Sequence, residues 1–279
     1  VWVVAFFAWF VSTGYFLFLP GRLATSLRFY AALFPERGLW GRLRLAWAQY
    51  HGFAALFAER LRLAYTPDRL QCTMGGLEHI EAAAQTGKGG ILLMSHVGNW
   101  EIAAHFFHIK TIDVPVLIYM GARQKEQIER LQKEALQKQG LHIVAVGESE
   151  ASPFKLLEGL QTLRNGGVVA MTGDRLWHTG QRAVTVDFSG NKVRIPEAPY
   201  RLALLSGCSI VPFFALRIAP RSYSIIALEP IMVSAPKRSE QVAVIRRAAQ
   251  TYADHLLQMA RQHPDQWYHF SAFFDTDRE

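Results

Sequence analysis

The segment Ser95-His96-Val97-Gly98-Asn99-Trp100-Glu101 carries the side chains in this chain best suited to proton transfer. An imidazole accepts a proton near neutral pH. A carboxylate beside it fixes its tautomer and stabilises the imidazolium that forms. His96 and Glu101 are the local candidates for such a pair. On one continuous helix their spacing would set them about 140° apart, so the pair works only if His96 precedes the helix and the Val97-Gly98 turn folds it back. Gly98 makes that turn feasible. Asn99 either caps the following helix or shapes the loop, and Trp100 either lines a pocket or packs in the core. Taken alone, a histidine and a glutamate at this spacing also fit a structural histidine with an exposed acid.

The surrounding elements read as α/β. Gly89 and Gly90 introduce an apolar strand at 91–95, and such strand ends commonly face ligands. Further strands are expected at 114–119, 141–146, 168–171, 184–188, 210–216 and 223–228. Helices are expected after Gly98 and at 122–140, 154–163, 199–205 and 241–260. Alternation of this kind predicts a mixed, partly parallel sheet covered by helices. With 279 residues, 50% of them hydrophobic, the chain can build one sizeable core.

Residues 1–19 contain no charge and are followed by Pro20, Gly21 and Arg22. As a helix they would reach ~28 Å, close to a bilayer core of ~30 Å. The reading is a membrane-anchoring hydrophobic helix over 1–21 that spans the bilayer or enters it at an angle. Without a basic n-region or a small-residue cleavage pattern it does not resemble a cleaved signal peptide. An amphipathic helical interface segment over 22–70 and a catalytic domain over 71–279 complete the expected organisation. The net charge of +7 and the early arginines, interleaved with aromatics, suit an anionic bilayer surface better than a nucleic-acid groove. Cys72 and Cys208 form no metal or redox motif and read as reduced thiols. No G-x-S-x-G elbow, phosphate-binding P-loop or complete dinucleotide fingerprint is present.

Four blocks recur in order: HVGNWE at 96–101, TGDR at 172–175, IPEAPYRLALLSGCSIVPFFALR at 195–217 and HPDQWY at 263–268. With them the chain resembles the lipid A biosynthesis acyltransferases, the lauroyl/myristoyl group within the glycerolipid-acyltransferase-like superfamily, from about Trp9 to Tyr268. The resemblance implies that His96 is the general base on an acceptor hydroxyl and that Glu101 orients and charges it. It implies an acyl thioester donor, acyl-carrier protein or acyl-CoA, and no cofactor or metal. It also implies a membrane lipid acceptor, first a lipid A precursor, with lysophospholipids, amino-acid-linked lipids or other glycolipids open. A bacterial inner membrane with a cytoplasmic catalytic face would follow.

Arg175 is the expected electrophilic or phosphate-binding residue. Asp174 is expected to hold Arg175 or its loop rather than act as a second base. Arg217 either reaches a phosphate or stabilises the fold. Trp267 and Tyr268 are expected anchors. Pro196-Glu197-Ala198-Pro199 departs from the family, which commonly has glycine between these prolines. A thioester hydrolase and a non-catalytic carrier-binding protein are the competing classes.

Overall fold

The computed structural model describes residues 2–65, 70–104, 115–121, 142–146, 153–177, 180–270 and 273–274. The helix expected at 122–140 lies outside these residues. The amino-terminal helices are α1 (Trp2–Phe18), α2 (Pro20–Leu33) and α3 (Leu39–Tyr65), followed by α4 (Leu77–Gln85), α5 (Pro153–Arg164), α6 (Ala198–Ser206) and α7 (Gln241–Gln262). A further helical turn occupies 100–104.

Pro20 separates α1 from α2. It lacks a backbone N–H and drives Leu19 out of helical geometry, and the two helices meet at a bend of 87°. No single helix among the described residues is long and apolar enough to cross a membrane. Together, α1 and α2 meet that test by length and composition. One side of α1 leaves Phe6, Phe7, Phe10 and Phe18 exposed. Its other side sets Trp9 and Phe16 edge-on against Trp47 of α3, at centroid distances of 6.3 and 5.1 Å. Packing then continues into the body of the protein: Phe29, Tyr30 and Leu33 of α2 share one apolar cluster with Leu256 of α7 and Trp267.

The apolar runs form the middle of a mixed sheet. β2 (Gly90–Met94) is buried at every position. It pairs in parallel with β5 (Val168–Thr172) on one side and β8 (Ser209–Ala219) on the other. Beyond β5 lie β3 (Val116–Gly121) and β4 (His142–Val146), also parallel. Beyond β8, β9 (Ser222–Ala227) runs antiparallel to it, and β1 (Gln71–Gly75) lies parallel to β9 at the edge. The short β10 (Ile231–Met232) pairs antiparallel with β8. This is the mixed, partly parallel, helix-covered sheet that the sequence leads one to expect.

Alternation sends Ile91 and Leu93 to the cluster shared with α2, α6 and α7, and Leu92 and Met94 to the cluster closed by α4. The hairpin β6 (Ala183–Phe188) and β7 (Asn191–Pro196) packs Phe188 and Val193 into the first cluster. Its turn, Ser189-Gly190, has φ of 54° and 77°, the geometry that matches strand twist in a two-residue loop. β1, β7 and α4 were not expected from the sequence. β1 is an edge strand exposed on one face, so its residues carry no buried run to betray it.

Candidate active site

Parallel register brings two distant loops together. Met94 of β2 stands opposite Thr172 of β5. Two residues beyond each lie His96 and Asp174. His96 Nδ1 is 2.9 Å from Asp174 Oδ1, and the His96 backbone N–H donates to Oδ2 at 2.8 Å. The Trp267 indole N–H donates to the same Oδ2 at 3.0 Å. Asp174 is 1% exposed. Burial pushes its carboxyl up, but the facing His96, the hydrogen bonds from that residue's ring and backbone, and nearby His269 outweigh burial and hold it at about 2. Asp174 is therefore an acceptor only. The proton between the two must sit on Nδ1, which leaves the Nε2 lone pair free. Nε2 makes no hydrogen bond among the described residues, and the His96 side chain keeps 20% exposure.

The backbone between His96 and the helical turn is clamped from two sides. Gly98 N–H donates to Gln266 O at 2.8 Å, Asn99 N–H to Ala215 O at 2.7 Å, and Tyr268 N–H to His96 O at 3.0 Å. Gly98 has φ of 77°, and a Cβ there would lie 1.9 Å from the Ala215 carbonyl oxygen. Only glycine fits this turn. Gly173 is restricted by packing: a Cβ would stand 2.7 Å from the Tyr252 ring and 2.9 Å from Leu93. Tyr252 in turn donates to Met94 O at 2.8 Å, fixing the end of β2 from α7.

The structure assigns the sequence candidates as follows. The carboxylate hydrogen-bonded to His96 is that of Asp174, the residue expected to hold Arg175 or its loop. Local spacing points to Glu101; the partner found lies 78 residues away and arrives through strand register. Glu101 is 8% exposed, in the first helical turn after the loop. Its backbone N–H donates to Asn99 Oδ1 at 3.2 Å, a capping contact, while buried Asn99 Nδ2 finds no hydrogen-bond partner among the described residues. Trp100 packs half-buried against the cluster containing Leu92 and Phe213. Arg175 follows Asp174 directly, its guanidinium carbon 5.9 Å from the Trp177 ring centroid.

Arg217 Nε pairs with Glu59 Oε1 at 2.9 Å, a carboxylate of α3 with no exposed side-chain surface. The Tyr223 hydroxyl donates to the same carboxylate. Through its pair with Glu59, Arg217 ties β8 to α3. Glu197, in the unusual Pro-Glu-Ala-Pro turn, pairs with Arg201 of α6. Cys208 precedes β8 at the opposite end of the parallel strands from His96, and burial pushes its thiol pKa up. Among the described residues no three His, Cys, Asp or Glu side chains gather as a metal site.

Trp267, an expected anchor, is also a donor to Asp174. His269, one residue past the HPDQWY block, is not among the residues expected from sequence. It is 8% exposed, with its ring edge-on to His96 at 6.1 Å. Its place directly after Tyr268, at the end of that block, is the available signal.

The sequence profile described as "Bacterial lipid A biosynthesis acyltransferase" matches residues 4–276. The chain belongs to this family. Among curated proteins it is similar to a phosphatidylinositol mannoside acyltransferase of Mycobacterium tuberculosis, 31% identical over 160 residues, which is 54% of this chain and 45% of that protein. A protein of the same description from Mycolicibacterium smegmatis is 26% identical over 169 residues, 59% of this chain and 53% of that protein. The matched stretches thus span about half the length of these relatives. In this member of the lipid A biosynthesis acyltransferase family, HVGNWE, TGDR, the middle of β8 and HPDQWY meet at one place. The first two bring His96 and Asp174, Ala215 of β8 supports the turn, and the last block locks the carboxylate.

Proposed function

We propose that this protein is a membrane-associated O-acyltransferase, with His96 as general base and Asp174 as the carboxylate that orients it. The observation that carries the reading is the His96–Asp174 pair: a buried, ionised carboxylate on Nδ1 and a free Nε2 at the C-terminal edge of the sheet. In the proposed step, Nε2 takes the proton of the acceptor hydroxyl as its oxygen attacks the thioester carbonyl carbon. The carbonyl oxygen becomes an oxyanion. The tetrahedral intermediate then collapses, the C–S bond breaks, and the imidazolium returns its proton to the departing thiolate. Asp174 stabilises the imidazolium throughout. Glu101 supplies a second carboxyl group to the same loop. Arg175, beside Asp174, is the proposed partner of the oxyanion or of a substrate phosphate. Neither cysteine is placed to form an acyl-enzyme.

The proposed donor is an acyl thioester of acyl-carrier protein or CoA. The proposed acceptor is a sugar hydroxyl of a phosphorylated membrane glycolipid. A lipid A precursor fits the family, and a phosphatidylinositol mannoside fits the named relatives. The apolar α1 and the α2 that follows it, which carries the basic residues Arg22 and Arg28, are the proposed bilayer attachment.

Mass spectrometry of vesicle lipids decides the matter. The full chain is incubated with acyl-carrier-protein thioester or acyl-CoA and each glycolipid class, alongside His96→Ala. One acyl mass gained by one class, with the rate falling about 10³-fold in the variant, is the expected result. Thioester consumed without acylated lipid would mean hydrolysis, and equal product from both proteins would remove His96 from the mechanism.

A further inference from the structure

The catalytic pair is tied to the amino-terminal helices through a run of buried hydrogen bonds. Ser26 Oγ of α2 donates to Gln49 Oε1 of α3 at 3.1 Å. Gln49 Nε2 donates to the Trp267 carbonyl at 2.7 Å. The Trp267 indole N–H donates to Asp174 Oδ2, and Asp174 Oδ1 accepts from His96 Nδ1. Every side chain from Ser26 to Asp174 is at most 3% exposed. Only one amide orientation satisfies both neighbours of Gln49, since the Trp267 carbonyl can only accept.

We infer that Gln49 is a positioning residue for His96, acting through Trp267 and Asp174. The inference rests on His96 being the base proposed above. Gln49 sits on the buried side of α3 with Ala46, Tyr50 and Ala54, where an aliphatic side chain would pack without the cost of burying an amide. What the amide adds is direction. Its N–H fixes the Trp267 carbonyl, and the adjoining backbone is held by Gly98 N–H on Gln266 O and Tyr268 N–H on His96 O. With the main chain held on both sides and the ring packed against Phe29, Phe188 and Phe273, the indole keeps its N–H on Asp174. Trp47 and Tyr50, flanking Gln49 in α3, carry Trp9 and Phe16 of the apolar α1. The base is thus connected, contact by contact, to the helices proposed to meet the bilayer.

The test uses the full chain in lipid bicelles, with Gln49→Leu and Gln49→Glu. Two readouts are taken on protein shown to be folded by circular dichroism: the nitrogen and proton shifts of the Trp267 indole and the His96 ring, and kcat and KM for donor and acceptor. Gln49→Leu is expected to move the Trp267 and His96 resonances and lower kcat about tenfold, the loss of one buried hydrogen bond, with both KM values unchanged. Relative to wild type at the same pH, Gln49→Glu is expected to match Gln49→Leu at high pH and to recover as pH falls, because a neutral carboxyl group can again donate to the carbonyl. Unmoved resonances in folded Gln49→Leu would overturn the inference, as would a loss confined to KM. The resonances report the connection even if wild type transfers no acyl group, so failure of the acyltransferase reading is seen separately.

Discussion

The loop around His96 and the outer side of α1 solve opposite problems. At the C-terminal edge of β2 and β5, the polar groups around the carboxylate are buried and engaged: both Asp174 oxygens are hydrogen-bonded, and the backbone of the loop is held at Gly98, Asn99 and His96, while Asn99 Nδ2 and Thr172 Oγ1 find no partner among the described residues. On α1, large apolar side chains face outward; Phe7 and Phe10 are 59% and 62% exposed. Burying polar groups costs free energy that only full hydrogen bonding offsets. Exposing aromatics to water is equally unfavourable unless another apolar phase covers them. The comparison teaches that geometry at the first region is specified atom by atom, whereas the second asks only for an apolar surface. Substitutions should therefore be felt sharply in one and gradually in the other.

Gly98→Ala should give the largest effect on stability. Its Cβ would collide with the Ala215 carbonyl in a left-handed backbone conformation, costing about 3 kcal/mol. Chemical denaturation should show a lowered midpoint with an unchanged slope. A midpoint equal to wild type would mean that the loop is not clamped.

Acid titration probes the same region less severely. The Asp174 carboxyl is depressed from 3.8 to about 2 in the fold. Its contribution is present in full above pH 4 and is lost as pH falls through 2, an effect of about 2 kcal/mol. Asp174→Asn should lack this acid-dependent step. An identical acid profile in the variant would show that Asp174 is not the ionised, stabilised group.

Phe10→Ala should be the mildest change. Its ring is already outside the protein, so the unfolding midpoint should stay put, while partition into anionic vesicles should weaken about fivefold, or about 1 kcal/mol. A destabilised fold with unaltered partition would place Phe10 in a protein contact instead of a bilayer contact.

How much of this was legible in sequence follows the range of each interaction. The strand before His96 announces itself as an apolar run behind two glycines, and Gly98 signals a turn. The blocks TGDR and HPDQWY were visible as patterns, but their union was not. Asp174 meets His96 only because Met94 is registered against Thr172, and register between distant parallel strands leaves no mark within either segment. Gln49 left a faint mark, a polar residue on the buried stripe of an amphipathic helix. For α2 and α3, interleaved aromatic and basic residues fit a lipid surface and a protein core equally well. Phe29, Tyr30 and Tyr50 are buried in the protein, which shows that these aromatics of the pattern belong to the core.

Asp174, across the sheet from His96, is the residue proposed to orient the base. Single-turnover acyl transfer at saturating donor and acceptor, comparing wild type, Asp174→Asn and Glu101→Gln, tests that role most directly. Asp174→Asn is expected to slow the chemical step about 10²- to 10³-fold with substrate affinity unchanged, because the asparagine cannot stabilise the imidazolium. A rate for Asp174→Asn within a few-fold of wild type, with Glu101→Gln inactive, would contradict it and return the orienting role to the acid within the motif.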